Sequence, residues 1–315
     1  MTPGASISVV VPCYNAERWV AGTLASVLAQ DSPVHEVIVV DDGSTDRSTA
    51  VIRERFPGVT VVQQANSGVA AARNAGIRRA SGQWIAFVDA DDYWLPGKLS
   101  AQREVLRADP SARMACTAWQ VWPSAAETPD EATLQGLRQA DTGQWRGPSG
   151  WIYADLLLDC HVWTSTVLVH RSLLDEIGLF DPGLRIGEDY DLWLRAARVT
   201  PILRVPRPLA LYRMHPGSLT KAAPMENHQG TVVARAVARW GYGSPDGARA
   251  RKADVDRAIA RTWSDFAGAH LAADNLERAR YGALMSLRAR WCQVAGWKLL
   301  ARNLARSLAT YGRRP

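Results

Sequence analysis

An apolar run at 84–88 leads directly into three carboxylates, Asp89, Asp91 and Asp92, within four positions. Like charges this close repel unless a cation neutralises them. Hard divalent cations such as Mg²⁺ or Mn²⁺ take oxygen ligands and commonly bridge one or two carboxylates to the phosphates of a substrate. At a strand end, the Asp-Ala-Asp spacing can send one carboxylate toward a nucleotide and another toward a metal. The same residues also suit a turn and a helix N-cap ahead of WLPGKL, with Pro96 in a first helical turn. A second acidic pair, Asp41 and Asp42, follows the run EVIVV. Asp46 is placed to cap the next helix, which frees Asp41 or Asp42 to accept from a base N–H or a ribose hydroxyl. In NSGVAAARNAG, Gly68 precedes a helix carrying Arg73. Helix N-terminal amides with a guanidinium make a phosphate site, although a surface Arg on an ordinary helix fits the same letters. GEDYD, at 187–191, reads locally as an acidic helix start that complements the dipole.

The elements that must position these groups are legible in the first hundred residues. SISVVVP, EVIVVD, VTVVQQ and WIAFVD are short, nearly continuous apolar runs, as expected of strands covered on both faces. Between them, AERWVAGTLASVLAQ, DRSTAVIRERF and GVAAARNAGIRRA carry apolar residues at helical spacing. Strand and helix in alternation predict a parallel sheet, whose ligands bind beyond the carboxyl ends of the strands. Those ends hold PCYN, DDGSTD, QQANSG and DADD, all polar, and are expected to converge on one crevice. Further on, 111–122 reads as a strand and 123–150 as a loop excursion rich in Pro, Gly, Ser and Trp. STVLVHRSLLDEIGLFDP restores a strand and short helix, EDYDLWLRAARV a helix, and PLALYRMHPGS a strand ending in a polar loop. Beyond about residue 225 the chain becomes Ala- and Arg-rich with helical periodicity.

With 315 residues, 47% hydrophobic and 22% charged, the chain can build one large α/β domain and an appendage. Four scattered cysteines, Cys13, Cys116, Cys160 and Cys292, suggest neither a zinc site nor a disulfide framework, and a reducing cytoplasm suits them. Neither a signal peptide nor a membrane span is expected. The net charge of +6 is concentrated in the tail: residues 278–315 hold nine Lys or Arg and no Asp or Glu.

SVVVPCYNAERWVAGTLASVLAQ, EVIVVDDGSTDRS, NSGVAAARNAGI, WIAFVDADDYW and FDPGLRIGEDYDLWLRA, in this order and spacing, resemble family 2 glycosyltransferases, inverting nucleotide-sugar enzymes. The resemblance covers roughly residues 6–220. It implies an A-type glycosyltransferase fold, a Rossmann-like, mostly parallel sheet with helices on both faces, in 1–224. That divides into a nucleotide-sugar half, 1–95, and an acceptor half, 96–224, with an α-helical extension over 225–315. By the same resemblance, Asp42 recognises the nucleotide base, helped by the backbone around Pro12 and Tyr14, with Asn66 and Arg73 alongside. Asp89 and Asp91 match the family's D-x-D motif, Asp89 toward the ribose and both toward a divalent cation, Mn²⁺ or Mg²⁺, on the diphosphate. Glu188 and Asp189 match its acidic pair, of which Asp189 is expected as general base with Glu188 as the alternative. Arg213 and His215 match an Arg/His loop that contacts phosphate or metal. Flat aromatic faces suit sugar rings, and HVWTST supplies Trp163 and Thr164 as acceptor candidates.

The implied reaction moves a single sugar from a nucleoside-diphosphate sugar, by default a uridine one, to a hydroxyl of a glycan or lipid-linked acceptor, as in surface polysaccharide synthesis. A catalytically silent glycan- or nucleotide-binding relative is the alternative, which the intact Asp89, Asp91 and Asp189 oppose. No G-x-G-x-x-G follows the first strand, which excludes a dinucleotide-binding dehydrogenase, and no Gly-rich loop with a basic residue suggests a nucleotidyltransferase. No nucleic-acid-binding module is recognisable. In the tail, helical spacing puts Trp297, Leu300, Leu304, Leu308 and Tyr311 opposite Lys298, Arg302, Arg306 and Arg313. Two readings stand: packing on the catalytic domain or in a homodimer, or peripheral contact with anionic lipid at the inner face of the membrane.

Overall fold

The structure, a computed structural model, describes residues 1, 4–124, 126–139, 145–215 and 223–311. Strands β1 (Ile7–Cys13), β2 (Glu36–Asp41), β3 (Thr60–Gln63) and β4 (Trp84–Phe87) form where β-branched and aromatic residues cluster. Every residue of β1 and β4 is buried, and since successive side chains point to opposite faces, both faces of the sheet are covered. These strands pair in parallel in the order β3-β2-β1-β4. Their connections carry α1 (Val20–Leu28), α2 (Ser48–Arg55) and α3 (Val69–Arg79). Helix α3 lies so close on β1 that a Cβ at Gly76 would sit 2.3 Å from Val10 Cγ1, so only glycine fits there.

The sheet continues through β5 (Tyr93–Trp94), β6 (Met114–Trp122), β7 (Leu168–His170) and β8 (Ile202–Arg213) to eight strands, ordered β3-β2-β1-β4-β7-β6-β8-β5. Not all of it is parallel: β7 runs against β4 and β6, and β5 against β8. Strands β6 and β8 are parallel, with register shifts around Thr117 to Trp119, opposite the stretch of β8 that contains Pro206 and Pro208. Proline cannot donate to the ladder, so an irregularity there is expected. Helices α4 (Lys98–Ala108), α5 (Glu131–Gln139), α7 (Arg171–Ile177) and α8 (Glu188–Ala196) complete this region, while α6 (Tyr153–Leu156) belongs to a second unit. The stretch 123–150, expected to be loop, therefore contains a helix. Asp130 Oδ1 accepts from Thr133 N–H at 2.9 Å, and Leu134 and Leu137 pack on an apolar cluster of Leu95, Trp122, Val205, Leu209 and Leu211.

The chain divides into two compact units, Met1–Ile152 with His161–His215, and Tyr153–Cys160 with Pro216–Pro315. The second contains α6, α9 (His228–Trp240), α10 (Lys252–Ala272), α11 (Leu276–Ala289) and α12 (Val294–Tyr311). Tyr153 Oη donates to Gly241 O at 2.9 Å, and Ser264 and Ser286 share a buried hydrogen bond of 2.9 Å between α10 and α11. Helix α12 turns Gly296 and Asn303 inward, where Asn303 Nδ2 donates to Leu276 O at 2.7 Å. A Cβ on Gly296 would stand 3.0 Å from Leu287 Cγ, so the contact face is set by a small residue and an amide. Of the expected apolar stripe, Leu300 is half-buried while Trp297 and Leu304 remain exposed; the side chains of Leu308 and Tyr311, and Arg313 altogether, lie outside the described residues. Among the described residues, no helix is long and apolar enough to cross a membrane.

Candidate active site

Because β1, β2, β4, β6 and β8 are mutually parallel, their C-terminal ends share one edge of the sheet, and the reversed β7 brings its N-terminal end to the same edge. Expected site residues from seven separate segments follow or flank these strand ends; contacts join Arg73, Asp89 and Glu188, Asp189 with Thr164, and Asp91 with Arg213 and His215, whereas Asp42 is bonded to the loop that carries Asn66. At the end of β1, Pro12 is buried in the strand and Tyr14 is exposed. Asn15, in the left-handed region at φ 49°, accepts from Thr45 N–H at 2.8 Å and donates its own N–H to Ser44 Oγ at 3.0 Å. Asp46 accepts from Ser48 N–H at the start of α2 (2.9 Å), as the capping argument expects.

Asp41 and Asp42 do different work. The Asp41 carboxylate accepts from Ser44 N–H (3.0 Å), Thr49 Oγ1 (2.8 Å) and Gln63 Nε2 (3.2 Å). Burial raises its pKa, but the bonds from Ser44 and Thr49 outweigh it and hold the group below the ordinary range. Asp42, also buried, accepts from Gln64 Nε2 (2.7 Å), Ser67 N–H (2.9 Å) and Gly68 N–H (2.8 Å). It thereby fixes the loop after β3 on which Asn66 is exposed. A carboxylate offers about four acceptor positions, so Asp42 keeps one.

Asp89, Asp91 and Asp92 follow β4 in a turn closed by Asp92 N–H to Asp89 O at 3.0 Å. The side chains of Asp89 and Asp91 are partly open to solvent. Asp91 Oδ2 lies 3.0 Å from His215 Nε2. Burial and the Asp89 charge raise the Asp91 pKa, and His215 pulls the other way. Asp92 is sealed instead: its carboxylate takes bonds from Arg213 N–H (3.1 Å), Trp163 Nε1 (3.2 Å) and Ser165 Oγ. Burial, then Asp91 and Asp89, push its pKa well above the carboxylate range. Ser165 Oγ also accepts from Asp89 N–H at 3.0 Å, which locks the acidic turn to the short 3₁₀ turn Thr164–Thr166.

Arg73 is almost wholly buried. It donates to Asp89 Oδ1 at 2.7 Å and Glu188 Oε1 at 2.5 Å, with its guanidinium carbon 5.3 Å from the Phe180 ring centroid. Burial opposes its charge, but Asp89, Glu188 and Asp189 together raise its pKa above the ordinary value. Its two terminal nitrogens are thus committed to carboxylates, and its buried Nε has no hydrogen-bond partner. Glu188 is enclosed with it; burial raises the Glu188 pKa to about 7 against the pull of Arg73. Asp189, one residue on, is only half-buried. It accepts from Thr164 Oγ1 at 2.8 Å and from Tyr190 N–H at 2.7 Å, so its carboxylate is oriented without being sealed. Asp191 pairs with Arg195 at 2.9 Å along α8.

Arg213 ends β8 with no exposed surface. Its Nε donates to Asp91 O at 2.7 Å, its Nη atoms donate to the carbonyls of Ala126 and Glu127, and its guanidinium carbon lies 4.5 Å and 4.1 Å from the ring centroids of Trp19 and Trp122. It holds the Asp91 backbone rather than facing the opening. His215 stays at the site, 5.5 Å between ring centroids from Trp19; the rest of its loop, 216–222, lies outside the described residues. Trp163 stands 4.3 Å from Tyr212, centroid to centroid. Sequence reasoning missed Ser165, Trp19 and the buried task of Asp92; Ser165 meets Asp92 at a separation of 73, Asp92 meets Arg213 at 121, and Trp19 faces Arg213 and His215 from near the other end of the domain sequence, so no local pattern marks them.

The donor set suits a hard divalent cation: two partly open carboxylates, Asp89 and Asp91, with His215 beside them. Among the described residues no group of three His, Cys, Asp or Glu is drawn together to hold a metal alone.

The model of a family described as Glycosyl transferase family 2 matches residues 8–137. A Bacillus subtilis (strain 168) protein named "Putative teichuronic acid biosynthesis glycosyltransferase TuaG" is 32% identical over 193 residues, 60% of this chain and 70% of that protein. An uncharacterized glycosyltransferase of Rickettsia bellii (strain RML369-C) is 28% identical over 230 residues, 72% of this chain. The chain spans only 31% to 36% of the length of that and two further Rickettsia relatives. Among solved structures, S. aureus TarS 1-349 in complex with UDP-GlcNAc matches with a TM-score of 0.62 at 16% identity, covering 97% of this chain and 92% of that one. The mannosyltransferase PcManGT from Pyrobaculum calidifontis, in complex with GDP-Man and Mn²⁺, gives 0.56 at 19% identity, covering 98% and 88%. Those likenesses are of fold, the A-type glycosyltransferase fold. With the ordered acidic motifs on one sheet edge and the identity to TuaG across most of its length, the chain belongs to glycosyltransferase family 2.

Proposed function

We propose that this chain transfers a single sugar from a nucleoside-diphosphate sugar, a uridine one by default, to a hydroxyl of a glycan or lipid-linked acceptor in surface polysaccharide synthesis. The donor occupies the loops after β1, β2 and β4, with the base near Asp42 and the ribose near Asp89. Asp89 and Asp91 would hold a divalent cation, which when bound would supply positive charge beside the donor's diphosphate. Asp189 removes the proton of the acceptor hydroxyl, whose oxygen attacks the anomeric carbon as the bond to the diphosphate breaks on the opposite face. One displacement inverts the configuration and forms no sugar–enzyme bond. TuaG by its name, and TarS and PcManGT by the ligands in their titles, support this class of reaction.

The observation that carries the reading is the contrast within the acidic pair. Glu188 is enclosed against Arg73, whereas Asp189 is half-buried and oriented by Thr164, the residue that follows Trp163. Trp163 then lines the acceptor side. The test is steady-state turnover of a nucleotide-sugar donor by Asp189→Asn, with nucleotide affinity measured in parallel. Loss of kcat by about 10²–10⁴-fold with affinity unchanged is expected of a missing general base. Undiminished turnover would remove Asp189 from that role.

A further inference from the structure

The exposed face of α12 combines two features that packing within the chain does not explain. Val294, Trp297 and Leu304 are 64%, 55% and 50% exposed, and Trp291, just ahead of the helix, is 78% exposed. At 100° per residue Val294, Trp297, Ala301, Leu304 and Ala305 occupy one sector of the helix, and Lys298 and Arg302 the adjoining one. The opposite side, with Gly296 and Asn303, is the one that packs on α11. The Trp297 indole N–H donates to Trp291 O at 2.9 Å, so its ring can leave water without stranding a polar group.

The charge on the helix itself has one sign, the nearest acid being Asp274, 3.9 Å from Arg306. From Arg278 to the end there is no Asp or Glu, and α12 contains Lys298, Arg302 and Arg306, of which Arg306 is already spent on Leu271 O at 2.6 Å. A second copy docking the same face would set Lys298 and Arg302 against their own equivalents, with no acid on the helix to offset them. An anionic lipid surface meets both features at once: headgroups for the cations, and the acyl boundary for two tryptophans, a valine and a leucine. The geometry points to α12 lying in the plane of an anionic membrane surface, its Val294, Trp297 and Leu304 stripe turned into the lipid and Lys298 and Arg302 at the headgroups. This is independent of the reaction assigned above.

The test is cosedimentation of the full chain with vesicles of phosphatidylcholine containing phosphatidylglycerol, against vesicles of phosphatidylcholine alone. Trp297→Glu with Leu304→Glu, and Lys298→Glu with Arg302→Glu, are compared, with circular dichroism to establish that each folds. All four side chains are exposed, so folding should survive. The chain is expected to sediment with the anionic vesicles only, and each double variant to lose about 10-fold or more in partition. No binding by the unaltered chain, or binding unchanged by both double variants, would overturn the assignment. So would sedimentation velocity that shows a dimer broken by the Trp297 and Leu304 changes, since the face would then belong to a second copy.

Discussion

At the residue scale, the site depends on how three kinds of carboxylate are separated by their surroundings. Asp89 and Asp91 stay partly open, Asp92 and Glu188 are sealed, and Asp189 is oriented but reachable. Glu188 gives a pH test. Its folded pKa of about 7 lies above the ordinary 4.5, so the folded chain holds more protons in that window, and the stability from this group falls as pH rises through it. Chemical denaturation should therefore show wild type losing about 1–3 kcal/mol relative to Glu188→Gln between those limits. A wild type that gained on the variant would mean the pair with Arg73 keeps Glu188 ionised throughout. Thr164→Val addresses orientation: with the bond to Asp189 removed, kcat should fall about 10-fold with little change in KM for the donor. Equal losses in kcat and donor affinity would indicate general disruption instead.

At the element scale, α3 is the strut of the site, since it carries Arg73 to the ends of β4 and α8 at once. Its position is set by Gly76 against Val10 of β1. Gly76→Ala would gain about 1 kcal/mol of helix propensity, yet a methyl 2.3 Å from a stiff valine must displace the helix. Overpacking of this kind costs about 1–3 kcal/mol and should win. Urea denaturation should show lower stability and nucleotide titration weaker binding; a stabilised variant would show that α3 can shift freely. The strands β1 to β4 were legible in the sequence because their apolar runs are continuous and regularly separated. The reversal of β7, and the helix α5 within a Pro- and Gly-rich stretch, were not: strand direction depends on distant pairing, and α5 takes its stability from Leu134 and Leu137 against β8 residues. Likewise the D-x-D acids and the acidic pair could be read locally, but not that Arg73 joins them, because Glu188 lies 115 positions from it.

At the scale of the whole molecule, one edge of a largely parallel sheet carries the acidic turn after β4 and the end of β8, and the reversed β7 brings Thr164 and Ser165 to the same edge. Donor recognition and metal recognition are predicted to be linked, since a cation held by Asp89 and Asp91 would draw further ligands from the donor's phosphates. The most direct measurement is isothermal titration of the full chain with a panel of nucleoside diphosphates, each with and without Mn²⁺, repeated on Asp91→Ala. Binding of one nucleotide that requires Mn²⁺ and is lost in the variant is the predicted result. Failure of every nucleotide to bind, or binding indifferent to both Mn²⁺ and Asp91, would contradict it.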